Sequence, residues 1–241
     1  MQNLIQKRLL VVTALSVLLI GGMVLLLCQH FAEIKHVFAP YHEQSTLILD
    51  AGHGGIDGGA TAADGTCEKD INLSIVYKCQ TLAQMFGVRT MLTRTDENSI
   101  EYDPEQTVRQ NKVADIHARE RMTKEAVNPI FLSVHLNKYP DTAYSGAQMF
   151  WSKNNPEGQL LAQCIQQSFT VGTKPLKERQ AKQAPDSIYL MKQLTCPAVI
   201  AECGFLSNPT EAALLKQDDY QTQLAMCVIH GYLQYLEEED K

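Results

Sequence analysis

Four ionisable side chains, far apart along the chain, stand where strand-like runs end or a helix begins: His53, Glu68, His135 and Glu202. His53 lies in Asp50-Ala51-Gly52-His53-Gly54-Gly55, just beyond a short apolar run. Glu68 sits in a polar stretch before a helical pattern that opens at Asp70. His135 closes Phe131-Leu132-Ser133-Val134, and Glu202 closes Val199-Ile200-Ala201. Two imidazoles and one carboxylate are a three-ligand set for a catalytic Zn2+, with the fourth position left for water. A metal so held lowers the pKa of its water and polarises a carbonyl oxygen. A general base must still move the proton, and Glu202, arriving from another strand, suits that task.

Each residue also has a plainer reading. A histidine after a strand commonly makes a structural hydrogen bond, and a carboxylate at a helix entry such as Glu68 commonly caps it. Glu202 is harder to explain this way. It follows Pro197-Ala198-Val199-Ile200-Ala201, a run that should be buried, where a lone carboxylate is costly unless paired or functional. The glycines at 52, 54, 55, 58 and 59 fit neither G-x-G-x-x-G nor the P-loop pattern, which argues against a phosphate cradle. No H-E-x-x-H occurs, so the helix-borne zinc protease arrangement is not supported.

The elements that must position these residues alternate. Strands are expected at 46–50, 88–92, 130–135, 146–151 and 198–201. Helices are expected at 70–86, where Ile71, Ile75, Cys79, Leu82 and Phe86 share a face, and at 114–127, 156–170 and 219–236, with another opening at Asn208. Such alternation predicts an α/β fold: a mostly parallel, twisted central sheet with helices on both faces. Sites in such folds lie at the carboxyl ends of strands, where the four residues fall. The polar stretches 97–111 and 173–186 read as solvated connections rather than lids.

The N-terminus differs in kind. Residues 9–28 form an apolar run without a charge, preceded by Lys7 and Arg8. That length spans a bilayer as one transmembrane helix, and the basic flank places it inside. The expected organisation is therefore a cytoplasmic N-terminus and signal-anchor helix at 1–28, a linker at 29–45 and a catalytic domain at 46–241, outside the cytoplasm. A cleaved signal peptide followed by secretion is the alternative. All 27 acidic residues follow the run, no basic stripe is present, and no nucleic-acid partner is expected. The seven cysteines form no C-x-x-C pair, which speaks against a zinc ribbon or redox motif.

At its reactive residues the sequence resembles the zinc-dependent N-acetylmuramoyl-L-alanine amidase family. The matching segments are Leu49-Asp50-Ala51-Gly52-His53-Gly54-Gly55, Glu68-Lys69-Asp70, Thr93-Arg94, Ser133-Val134-His135-Leu136-Asn137 and Ala201-Glu202-Cys203-Gly204-Phe205-Leu206-Ser207-Asn208. The resemblance implies that His53, Glu68 and His135 bind zinc and that Glu202 is the catalytic carboxylate. It implies peptidoglycan as the substrate, cut at the amide between N-acetylmuramic acid and L-alanine. Ser145-Gly146-Ala147-Gln148-Met149-Phe150, Ile188-Tyr189-Leu190-Met191, the N-terminal run and the absence of a wall-binding repeat resemble the spore-cortex, germination-specific branch, whose action allows muramic-δ-lactam to form. Cys203 is a departure, expected to point into the core. A carboxypeptidase of similar fold and a non-catalytic, membrane-held wall-binding module are the alternatives. A partner protein that loads metal or activates the enzyme is compatible with either outcome.

Overall fold

The computed structural model describes residues 21–23, 45–175 and 177–239. The expected anchor at 1–28 and linker at 29–45 lie outside them, apart from 21–23 and Ser45. Among the described residues, no helix is long and apolar enough to cross a membrane. The chain divides into units Met1–Tyr41 and His42–Lys241, and the second carries all that follows.

Among the described residues, six strands form one sheet: β1 (Thr46–Ala51), β2 (Thr90–Leu92), β3 (Pro129–Asn137), β4 (Gln148–Trp151), β5 (Lys182–Gln183) and β6 (Ala198–Phe205), in the order β2-β1-β3-β6-β4-β5. All neighbours are parallel except β4 and β6. The helices of the unit that carries the sheet are, among the described residues, α1 (Glu68–Met85), α2 (Val108–Glu125), α3 (Glu157–Thr173), α4 (Tyr189–Gln193), α5 (Pro209–Leu215) and α6 (Asp218–Glu239). The mixed α/β fold with a mostly parallel sheet matches the expectation.

Strand alternation separates two cores. Leu47, Leu49, Leu132, Val134, Val199, Ala201 and Met149 face α1, α3, α5 and α6, forming the larger one. Ile48, Phe131, Ala198 and Ile200 face the other way, against Met191 and Leu194, with Ala126 at the end of α2 packed beside them. Along this smaller face the same alternation continues towards the strand ends as Asp50, Ser133, His135, Glu202 and Gln148. The register sets Asp50 beside Ser133, His135 beside Glu202, and Gln148 beside Glu202. The face therefore turns from apolar to polar where the strands end.

Several boundaries differ from the sequence reading, each for a local reason. α1 begins at Glu68, so Glu68 is its first helical residue and not a loop residue ahead of it. α2 begins at Val108, because Thr107 and Gln110 form a reciprocal capping box; the loop before it is correspondingly shorter. β3 and β6 run on past His135 and Glu202 to Asn137 and Phe205, so both residues lie inside strands. At α5, the helix expected to open at Asn208, only half of a capping box forms. Asn208 accepts from the Glu211 N–H, but the Glu211 carboxylate turns instead to the N–H groups of Gly146 and Phe205. Cys203 is buried, as expected, and the six described cysteines are all free thiols.

Candidate metal centre

β1 delivers the chain into a loop whose backbone is forced. His53 has φ 63°, a left-handed conformation unusual for a residue with a Cβ. Two guanidinium groups hold it there. Arg119 donates to the carbonyls of Ala51 (2.9 Å) and His53 (2.7 Å), while Arg94 donates to those of Ala51 (3.0 Å), Gly52 (3.2 Å) and Lys69 (2.7 Å). Arg119 is itself buried in ion pairs with Asp50 and Asp115, at 2.9 Å for the latter. Asp50 also accepts from the hydroxyls of Thr93 and Ser133. Burial alone would raise the Asp50 pKa, but Arg119 and the two hydroxyls bring it below its ordinary value.

This loop brings His53 against Glu68 and His135. Glu68 Oε1 lies 3.3 Å from His53 Nε2 and 3.0 Å from His135 Nδ1. One ligand atom from each residue fits within a 4.8 Å cluster. The carboxylate is fixed on both oxygens: Oε2 accepts the Ala60 N–H (2.7 Å), and Oε1 accepts the Leu136 N–H (2.9 Å) and the Asn72 amide (3.3 Å). Glu68 is buried, which opposes its ionisation, yet hydrogen bonds and attraction from both histidines hold its pKa far below the usual carboxylate range. Two glycines make the approach possible. A Cβ at Gly52 would collide with the His135 imidazole, and one at Gly59 (φ 68°) would lie 2.6 Å from Glu68 Oε2 and from the His53 ring.

The other His53 nitrogen, Nδ1, lies 2.9 Å from Asp57 Oδ2, and Asp57 Oδ1 meets Lys112 Nζ at 2.8 Å. Burial disfavours a charged His53, but hydrogen bonds to Asp57 and Glu68 outweigh it and raise its pKa to about 9. The donor set fits a metal ion. In a tetrahedral site with bonds of about 2.0–2.2 Å, ligand atoms stand about 3.3 Å apart, close to the two separations from Glu68 Oε1, while the cluster as a whole spans up to 4.8 Å. The outward-facing imidazole nitrogen bound to a carboxylate is the usual arrangement behind a metal-ligating histidine.

Glu202 stands beside His135 on the neighbouring strand. Among the described residues, its Oε2 is buried without a hydrogen-bond partner. Burial raises its pKa; the attraction of His135 and His53 works against this and the negative charge of Glu68 adds to it. A cleft of about 310 Å³ opens here, lined both by the polar residues His53, His135, Glu202 and Asp57 and by the apolar Ile116, Ile188, Leu190 and Ile200. Ser99 and Asn111 also line it, and Ser99 Oγ donates to the Gly54 carbonyl (3.1 Å). The stretch 97–111, expected to be only a solvated connection, thus forms part of the wall.

Residues 47–233 match the family described as N-acetylmuramoyl-L-alanine amidase (Amidase_3). The chain belongs to the N-acetylmuramoyl-L-alanine amidase family. It is 32% identical over 193 residues to the germination-specific N-acetylmuramoyl-L-alanine amidase of Bacillus subtilis (strain 168), covering 80% of each chain. It is also similar to the CwlD amidase from Clostridioides difficile, solved in complex with the GerS lipoprotein: 38% identity, TM-score 0.76, 80% of this chain and 98% of that one. The catalytic domain of CwlV, an N-acetylmuramoyl-L-alanine amidase from Bacillus (Paenibacillus) polymyxa var. colistinus, is 25% identical with a TM-score of 0.67, over 80% and 98% of the two chains.

All four sequence-predicted residues of this amidase chain come together where β1, β3 and β6 run out, with Glu68 reaching His53 and His135 from the start of α1. The supporting residues Asp57, Lys112 and Arg119 escaped the sequence reading. Asp57 carried a signal, an acid four residues after a histidine in a glycine-rich loop. Arg119 carried none, being one charge among many on a polar helix.

Proposed function

We propose that the chain hydrolyses the amide between the lactyl group of N-acetylmuramic acid and L-alanine in peptidoglycan, with zinc held by His53 Nε2, Glu68 Oε1 and His135 Nδ1. The amidase activity rests on family membership. The observation that carries the residue roles is the pairing of a three-ligand cluster with an unpartnered, buried carboxylate oxygen on the adjacent strand. Zinc held there would supply Lewis acidity, polarising the lactyl carbonyl and making the attacking water more acidic. Glu202 takes a proton from the attacking water and returns it to the departing L-alanine nitrogen. The proton so carried balances the reaction: hydroxide adds to the lactyl carbonyl carbon, the C–N bond breaks, and the nitrogen leaves as the neutral amine of L-alanine while the lactyl group becomes a carboxylic acid. Asp57 orients His53, and Lys112 holds Asp57. The apolar walls formed by Ile116, Ile188, Leu190 and Ile200 limit water around the reacting amide.

The reading extends to spore cortex, where removal of the peptide frees the lactyl carboxylate for muramic-δ-lactam formation. Likeness to a germination-specific amidase supports this. That the similar CwlD amidase was solved with a lipoprotein supports an activating partner of that kind. The uninterrupted apolar run at 9–28 supports a membrane tether with the catalytic unit outside the cytoplasm. Mass spectrometry of purified cortex and vegetative wall digested with the full chain tests the reading. Intact stem peptides with a free L-alanine amine are expected, in higher yield from cortex. Loss of only a terminal amino acid would make the enzyme a carboxypeptidase.

A further inference from the structure

The loop that follows β3, the strand carrying His135, presents two tyrosines to solvent. Tyr139 is 49% exposed and Tyr144 42% exposed, with their ring centroids 4.6 Å apart. Tyr144 also lies 6.2 Å from the buried Phe205 ring, and the Arg179 guanidinium sits 5.6 Å from the Tyr144 ring and 4.9 Å from that of Phe205. Solvent-exposed aromatic rings gathered in one place call for an explanation, since burial would ordinarily be favoured.

The cluster is held in shape from below. The Tyr139 N–H donates to Ser207 Oγ (3.0 Å), and Asn208 donates to the Thr142 carbonyl (2.9 Å). The buried Glu211 carboxylate accepts the N–H groups of Gly146 (2.9 Å) and Phe205 (2.7 Å), fastening the loop base to the end of β6. Arg179 donates to the Ser145 carbonyl (2.9 Å) and to Gln148 Oε1 (3.2 Å). Two contacts of neighbouring residues lead from this loop towards the reaction centre. Gln148 is the cross-strand neighbour of Glu202. Lys138 donates to the Thr61 carbonyl (3.2 Å), one residue beyond the Ala60 N–H that holds Glu68.

We propose that Tyr139, Tyr144 and Arg179 form a subsite for the glycan strand, a chain of N-acetylated hexosamines, and so set how the polymer lies across the metal centre. This rests on the amidase reading above. A pyranose ring has a face of C–H groups and a rim of hydroxyls. A tyrosine matches both, with an apolar ring face and a polar hydroxyl. Arg179 adds N–H donors for hydroxyl or acetamido oxygens. Two rings and a guanidinium suit one or two sugar units; a stable protein interface needs about 1,000 Å² or more.

The test titrates full-length chain in detergent with a peptide-free oligosaccharide of alternating N-acetylglucosamine and N-acetylmuramic acid. Tyr139→Ala/Tyr144→Ala is expected to bind it about tenfold more weakly than the parent, the size of two lost aromatic contacts. Tyr139→Phe/Tyr144→Phe is expected to stay close to the parent, because the ring faces remain. Thermal unfolding of each variant confirms folding, and the single alanine variants carry the test if the double one melts early. Equal affinity in parent and alanine variants would overturn the subsite, as would a parent that does not bind the oligosaccharide. Peptide release by the parent, measured alongside with and without a lipoprotein partner of the kind proposed above, separates the two claims: release with glycan binding unaltered in the alanine variants refutes the subsite alone, and no release under either condition refutes the reading beneath it.

Discussion

Asp57 Oδ2 meets His53 Nδ1 at 2.9 Å, on the nitrogen opposite the one that faces Glu68. The contact fixes which imidazole nitrogen is offered to a metal, and Lys112 on α2 keeps the carboxylate in place. Asp57→Asn keeps the shape but weakens the acceptor. Zinc affinity, read by competition with a coloured chelator, is expected to fall about 10–100-fold. Lys112→Met, which leaves Asp57 in contact with His53, is expected to lose less.

His135→Ala removes one of three ligands and is expected to leave well under one zinc per chain by elemental analysis, since two ligands hold zinc weakly. The metal-free protein also makes a pH prediction. His53, raised to about 9, must release a proton before Nε2 can bind a metal. Zinc affinity should rise about tenfold per pH unit below 9 from this residue alone. A flat profile between pH 7 and 9 would contradict the His53 assignment.

Arg119 ties the β1 loop to α2 through Asp50, Asp115 and two carbonyls. Arg119→Ala leaves two carboxylates without their cation. Denaturant unfolding is expected to show a loss of about 3–5 kcal/mol, together with weaker zinc binding as His53 leaves its left-handed conformation.

The same pair sets part of the acid sensitivity. The folded-state pKa of Asp50 lies below its ordinary 3.8, because Arg119 and the Ser133 and Thr93 hydroxyls overcome the opposing effect of burial. Its contribution is therefore complete above pH 3.8 and is lost as pH falls through the folded value. Asp50→Asn should flatten the stability profile in that acid window, and an unchanged profile would show that Asp50 does not govern it.

The sheet and three of the reactive residues were legible because periodic apolar runs carry their own signal and His53, His135 and Glu202 follow such runs; Glu68 rested on the family resemblance, since pattern alone leaves it as a helix cap. Element ends were less legible. Glu202 lies inside β6 because Cys203 and Phe205 continue the buried pattern, which the carboxylate interrupts. α2 begins at Val108 because of a Thr107–Gln110 cap within a polar stretch. Glu68 is fixed by the backbone N–H groups of Ala60 and Leu136, which only tertiary structure brings near. Arg119 and Lys112 could not be singled out from sequence, since an exposed and a site-facing charge on a polar helix look alike. β5, two residues long, is set by pairing with β4 and has no pattern of its own.

Glu202→Gln tests the central claim most directly. Glutamine keeps the side-chain shape but cannot carry the proton. Release of L-alanine-terminated peptides from muropeptides should fall about 10²–10⁴-fold, while bound zinc stays near that of the parent. Peptide release at the parent's rate by a zinc-loaded Glu202→Gln enzyme would contradict the account.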